Sequence, residues 1–325
     1  MGRHSRPLPV FPPSRLAVLP PYCLAAWPPG RLAVLPSCRL AMDLLQVVVS
    51  GLLLGGVYAL FAAGLNMIFG VMRLINLAHG ELMMIGAYLT FALYAAWNVN
   101  PLLATPIAAV LLFGLGLLLQ QFLVERVVGQ PLLSSLLLTF GLSTLLQGIA
   151  LNRFTANFRS IPYLSGSVDL FGLNISRSRL VAFAIALLVS GATYAFLRVS
   201  RFGKAIRATS QQADVAQVCG INVQQVRLIT FGLGAGLASI AGSLVAMIFS
   251  IYPEMGTMFI GKAFAIIVLG GLGSFVGAFA GALGLGVAET LAAYWIDTQI
   301  AQGVSYAVLV TVLVLRPSGL FGIRE

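Results

Sequence analysis

Charge is what this sequence has least of. Asp, Glu, Lys and Arg make up 9% of its 325 residues, against 59% hydrophobic ones, and the mean hydropathy is +0.98. A soluble domain carries roughly 25% charged residues. Too few are present here to cover a globular surface in water, and a bilayer is the solvent that suits the chain. Cysteine is nearly absent: Cys23, Cys38 and Cys219 show no CxxC or Cys/His spacing, which leaves a disulfide frame and a metal site unsupported. The two histidines, His4 and His79, are too few for a histidine-built metal centre. There is no GxxxxGK[ST] loop, so ATP binding by a P-loop is not expected. No cofactor is expected on the chain. The formal net charge is +10, but the bases lie scattered in short gaps between apolar runs, where lysine and arginine set topology. Nucleic acid is therefore not an expected partner, whereas membrane lipid is.

The first 41 residues follow a different regime. They hold nine of the 15 prolines and five arginines, with no acid, and "RLAVLP" occurs at 15–20 and again at 31–36. Proline at this density blocks helices and sheet ladders, and it breaks the apolar stretches before they reach the length of a secretory signal. The expectation is a disordered extension over 1–41, with Met42 as the natural start and a transmembrane domain over 42–325. An Arg-rich, acid-free organelle transit peptide is the alternative.

After Met42 the charge-free runs are 44–72, 82–124, 127–152, 180–197, 228–253, 263–288 and 298–315. A membrane helix needs about 20 apolar residues. Run 82–124 is long enough for two, with "NVNP" at 98–101 as the turn. The expected fold is all-α: a polytopic membrane protein of about eight spans. Helices are preferred to a β-barrel because the runs are continuous rather than alternating.

Two longer polar stretches separate the spans. Residues 152–179 read as an irregular surface loop. Residues 198–227, with five basic residues, suit the cytoplasmic side. Within the second, Ser210 is a candidate N-cap, Gly220 a candidate C′ residue, and Ala213, Ala216 and Val218 a small apolar face. A docking element for a partner and a plain interfacial helix both fit.

The scarce polar groups gather in "RLINLAHGELMMIGAY" (73–88), where Arg73, Asn76, His79 and Glu81 fall within nine positions between two apolar runs. An ionisable group at the bilayer centre costs about 2.5–3.5 kcal/mol on insertion scales. The stretch is therefore a tight turn at the membrane edge or a broken helix dipping into protein. "IIVLGGLGSFVGAF" (266–279) lies over 75–88 at an offset of 191 residues, pairing Gly80 with Gly271 and Gly86 with Gly277. A weak internal two-fold repeat of this kind, with Gly-interrupted half-helices, points to a transport pathway. Asn76, His79, Gly80, Glu81, Gly270, Gly271 and Gly273 are its candidate residues. Glu289 is expected near a helix end, with Asp297 marking the exit to water and no lysine or arginine facing it; a pathway carboxylate is the alternative.

These segments are familiar together. The sequence resembles the permease subunits of branched-chain amino acid ABC importers over residues 44–322. The likeness rests on "GVYALFAAGLNMIFGVMRLINLAHGELMMIGAY", "RFGKAIRATSQQADVAQVCGINVQQV", "AFAIIVLGGLGSFVGAFAGALGLGVAE" and the closing "LRPSGLFG". Urea and short-chain amide permeases look very similar. The resemblance implies a bacterial inner-membrane subunit that is not itself an enzyme. Its partners would be a second related permease, two ATP-binding subunits and a periplasmic solute-binding protein. It also implies that 199–226 is the cytoplasmic loop coupled to the ATPase, with Gly203, Ala213, Gly220, Ile221 and Asn222 on the recurrent pattern. The 71–81 turn and the 125–131 link would share that side. The C-terminus would lie outside if 263–295 crosses once. An ion-coupled secondary transporter would need paired intramembrane acids, for which Glu81 and Glu289 are the candidates. A membrane enzyme would need a paired carboxylate or nucleophile–base cluster that is not present.

Overall fold

A computed structural model describes residues 24–26, 32–34, 36–170, 172–271 and 273–315. Most of the expected extension therefore lies outside the described residues. Its described parts are a short antiparallel pair, β1 (Leu24–Ala26) and β2 (Leu32–Val34), and the first turns of a helix that begins at Pro36. Proline suits that position, because a first-turn N–H would have no intrahelical partner.

Eleven helices follow among the described residues: α1 (Pro36–Met72), α2 (His79–Trp97), α3 (Pro101–Phe122), α4 (Leu132–Phe154), α5 (Arg177–Val199), α6 (Arg201–Gln211), α7 (Ala213–Val218), α8 (Val223–Ala246), α9 (Met255–Gly270), α10 (Phe275–Trp295) and α11 (Thr298–Leu315). A hairpin, β3 (Ser167–Leu170) with β4 (Leu173–Ser176), decorates the expected surface loop between α4 and α5. The protein is an all-α polytopic membrane protein. Among the described residues, six helices are long and apolar enough to cross a bilayer: Met42–Met72, Pro101–Arg126, α4, α5, α8 and α10. Met255–Gly270 and Ile300–Leu315 are apolar but shorter.

Burial sorts the helices into a centre and a shell. In α8, 78% of the most apolar window is buried, against 17% in α4 and in α5. Helices α1, α2 and α8 form the centre. The shell turns Val110, Leu137, Phe140 and Leu188 outward, which in lipid costs nothing. The "NVNP" turn forms as expected. Asn98 takes the left-handed conformation that closes α2, and the Asn100 side chain accepts from the Leu102 N–H at 3.0 Å to open α3.

The most extensive pair is α1 with α10, antiparallel along a glycine seam. A methyl at Gly55 would come within 2.7 Å of the Ala282 carbonyl oxygen, and one at Gly286 within 2.7 Å of Gly55 Cα. Small residues there let two backbones touch, which is how helices gain contact where lipid removes the hydrophobic drive between them.

The segment 263–295 does not cross once. Helix α9 ends at Gly270, the chain turns through Gly271 and Gly273 at φ +85° and +83°, and α10 runs back antiparallel to α9. L side chains rarely take that conformation. The hairpin closes because Gly270 and Gly277 meet backbone to backbone. The Gly273 N–H donates to Asn66 Oδ1 at 2.9 Å, which places the turn beside the inner end of α1. Asn66, Val71, Tyr194, Arg207, Ser210 and Gly273 line one open cavity of about 290 Å³ there. The turn therefore shares an end of the bundle with the 199–222 loop. The sequence offered no charge to mark it, and so the hairpin read as one span. With α10 leading away from that end and α11 packed against both α9 and α10, α11 runs back toward it. The end of α11 therefore shares an end of the bundle with the 199–222 loop, whereas a single crossing by 263–295 would set the two on opposite sides. Residues 316–325, with Arg316 and Arg324, lie outside the described residues.

Candidate translocation site

Helix α1 stops at Arg73, whose φ is +51°. The chain then doubles back along α1 instead of turning at the edge. Residues 74–78 are not helical, yet Leu74, Asn76 and Ala78 are buried. Non-helical backbone is tolerated at membrane depth only under protein cover. Here α4 supplies some of that cover, with Thr139 Oγ1 donating to the Ile75 carbonyl at 3.1 Å. The return brings His79 level with Phe61, roughly 16 Å before the end of α1 at 1.5 Å per residue. The broken-helix option is the one realised. Only the start of 71–81 sits at the end of the bundle, and α2 begins inside it.

Each candidate in this stretch is accounted for. Asn76 is fully buried, and neither side-chain polar atom has a protein partner. His79 lies flat on Phe61, with ring centroids 5.0 Å apart. Its Nε2–H donates to the Phe61 carbonyl at 3.3 Å, while Nδ1 has no partner. Gly80 is pressed against the Gly256 carbonyl, with no room for a side chain. That close approach brings Glu81 under the first turn of α9. Glu81 Oε1 accepts from Ser143 Oγ of α4 at 3.2 Å and from Thr257 Oγ1 of α9 at 3.3 Å, while Oε2 has no partner. Glu81 thus lies in the first turn of α2 and touches the first turn of α9. The positive ends of two helix dipoles both favour a negative charge there.

Gly270, Gly271 and Gly273 are not part of this cluster. They form the α9–α10 turn beside Asn66, at the end of the bundle that carries α6 and α7. The two Gly-marked breaks sit at different depths: Gly80 is the second residue of a helix, whereas Gly271 is in a turn.

Glu289 is not near a helix end facing water. It is 8% exposed, in the body of α10, and ion-paired with Lys262 of α9. Lys262 also donates to Tyr58 Oη at 3.0 Å and lies over the Tyr58 and Phe259 rings at 5.0 and 5.3 Å. Lys262 and Tyr58 went unsingled in the sequence. The available signal was a single lysine eight residues before the Gly-Gly break, inside an otherwise apolar stretch. Through Phe259, which meets both Tyr58 and Phe61 edge-on, the ion pair joins the His79 cluster in one polar–aromatic seam.

The coupling candidates fall on the 199–222 loop. The expected single helix is two, α6 and α7. Ser210 is no N-cap: it lies inside α6 and donates to the Arg207 carbonyl at 2.8 Å. Ser200 caps α6 instead, accepting from the Gly203 N–H at 2.8 Å, and Gly203 sits within 2.6 Å of Leu197 Cα as a methyl would see it. Ala213 opens α7. Gly220 (φ +83°) turns the chain after it, as expected of a C′ glycine. The Ile221 N–H returns to the Ala216 carbonyl at 3.0 Å, and Asn222 caps α8 by accepting from the Gln225 N–H at 3.1 Å. The expected apolar face of Ala213, Ala216 and Val218 does not form. Ala216 packs inward, whereas Val215 and Val218 are 54% and 89% exposed. Arg227 pairs with Glu125 at 3.0 Å, tying the 125–131 link to the base of α8 at the same end.

Residues 47–313 match the family described as branched-chain amino acid transport system, permease component. The chain belongs to that family. It is 33% identical over 296 residues to the high-affinity branched-chain amino acid transport system permease protein LivH of Salmonella typhimurium, covering 86% of this chain and 96% of the relative. BraD, the corresponding permease protein of Pseudomonas aeruginosa, is 33% identical with the same coverage. LivM of Escherichia coli K12, another permease protein of such a system, is 25% identical over 81% of this chain and 67% of its own length. As a permease component, the protein is a transport subunit in a membrane.

Proposed function

We propose that this permease component moves branched-chain amino acids across the bacterial inner membrane by alternating access, with ATP hydrolysed on partner chains. The observation that carries this reading is the 33% identity to LivH and BraD across 96% of their length. Likeness to both LivH and LivM supports pairing with a second, related permease. The solute would arrive on a periplasmic binding protein, and two ATP-binding subunits would dock on the 199–226 loop.

The geometry gives that loop a means of acting. Helix α7 packs Ala216 inward and leaves Val215 and Val218 exposed to a partner. Such docking drives transport only if the ATPase binds the two permease conformations with different free energy. The expected pathway is the seam through Asn76, His79 and Glu81.

Uptake by a strain lacking its own carrier and expressing the complete set of subunits tests the substrate. Leucine uptake is expected, with urea and short-chain amides not carried; the reverse pattern would make this an amide-type permease. Substituting Ala213→Trp and Gly220→Trp tests the loop. Solute-stimulated ATP hydrolysis by the reconstituted complex is expected to fall, and unchanged stimulation would rule the loop out as the coupling element.

A further inference from the structure

Among the described residues of the membrane-embedded part, two acids are buried, and they are treated differently. Glu289 is neutralised by Lys262. Glu81 is also buried, at 0% exposed, and has no ion-pair partner among the described residues. Two hydroxyls hold one of its oxygens and the other is unpartnered. A buried carboxylate without a cation is costly. Two helix N-termini favour the charged form and offset part of that cost without cancelling the charge.

Glu81 is also close to a route. Its donors Ser143 and Thr257 are on α4 and α9, and neither is buried, so the carboxylate lies just beneath the cleft between those helices. Thr257 belongs as well to the wall of a cavity of about 380 Å³, with Tyr252, Glu254, Met258, Lys262 and Tyr306. That volume is within the ~300–1,000 Å³ of small-molecule sites. The charge on this wall is unbalanced. Lys262 is spent on Glu289, while exposed Glu254 has no ion-pair partner among the described residues and adds a second negative charge near Glu81. A cationic group is what this place lacks.

We propose that Glu81 receives the ammonium group of the transported amino acid as it passes between α4 and α9. Ser143 and Thr257 then rotate their hydroxyls to accept from the same group, so that three oxygens meet its three N–H donors. Glu81 is thereby a specificity-determining residue that favours amine-bearing solutes over neutral amides. This rests on the amino-acid reading above.

The test uses the complete transporter in proteoliposomes, with labelled leucine and a range of loaded binding-protein concentrations. Glu81→Gln keeps the shape and removes the charge. Maximal uptake is expected to fall at least about tenfold, the scale of losing a charge-assisted hydrogen bond. The half-saturating concentration of loaded binding protein should not move, and Glu81→Asp should restore part of the rate. Wild-type uptake by Glu81→Gln would overturn the proposal and leave the amino-acid reading standing. No leucine uptake by the wild-type complex would overturn both. If Glu81→Gln does not assemble, Thr257→Val carries the test with the carboxylate intact: a several-fold fall in maximal uptake is expected, and an unchanged rate overturns the proposal.

Discussion

The Lys262–Glu289 pair invites a quantitative test. Its partners are 3% and 8% exposed, and Tyr58, which accepts from Lys262, is 2% exposed. Replacing Lys262 with Met removes the cation but leaves an aliphatic chain between the Tyr58 and Phe259 rings, so little volume is lost. Glu289 then stays buried without its counter-charge. Breaking one side of a buried pair typically costs about 3–5 kcal/mol. Removing both charges at once often costs little, because the desolvation of two ions is recovered. Lys262→Met alone should therefore destabilise strongly, and Lys262→Met with Glu289→Leu should recover most of the loss. Thermal unfolding of the detergent-solubilised protein, followed by tryptophan fluorescence, measures this as a double-mutant cycle. A coupling energy below about 1 kcal/mol would refute the reasoning, as would a double variant no more stable than the single one.

Three further outcomes are expected. Gly270→Ala should destabilise by about 1–3 kcal/mol or more, because its methyl would run into the backbone at Gly277 and Ala278; unfolding or expression yield measures it. Asn66→Ala frees the Gly273 N–H, costing on the order of 1 kcal/mol and raising deuterium uptake at the 271–274 turn. Cys219 is exposed beside α7; with Cys23 and Cys38 replaced by Ser, a membrane-impermeant maleimide should label it in inside-out vesicles and not in right-side-out ones.

The helices were legible where composition speaks plainly. Leu44–Met72 is uncharged and apolar over a length that only a membrane-buried helix uses, and "NVNP" carries its own caps. Gly220 was readable because a C′ residue needs a left-handed backbone. The Glu81 cluster was legible as an anomaly, since ionisable groups in lipid demand a reason. What stayed hidden depends on contact across the chain. Gly270 and Gly277 read as small residues in an apolar run, and only the fold shows two backbones meeting there. Lys262 and Glu289 are 27 positions apart, and no local period links them. Ser210 resembled a cap because serine often is one, yet Ser200 ten residues earlier holds the free N–H. The exposure of Val218 likewise depends on which face of α7 meets the bundle, and Ala216 takes that face.

The α9–α10 hairpin has a mechanical consequence. From the turn held by Asn66 to Thr257 beside Glu81, α9 is one uninterrupted rod about 20 Å long. A helix is stiff along its axis, so a displacement of the Asn66-held turn would be carried along α9 toward the buried acid. Any motion of that turn and the cargo beside Glu81 would then share a single piece of backbone.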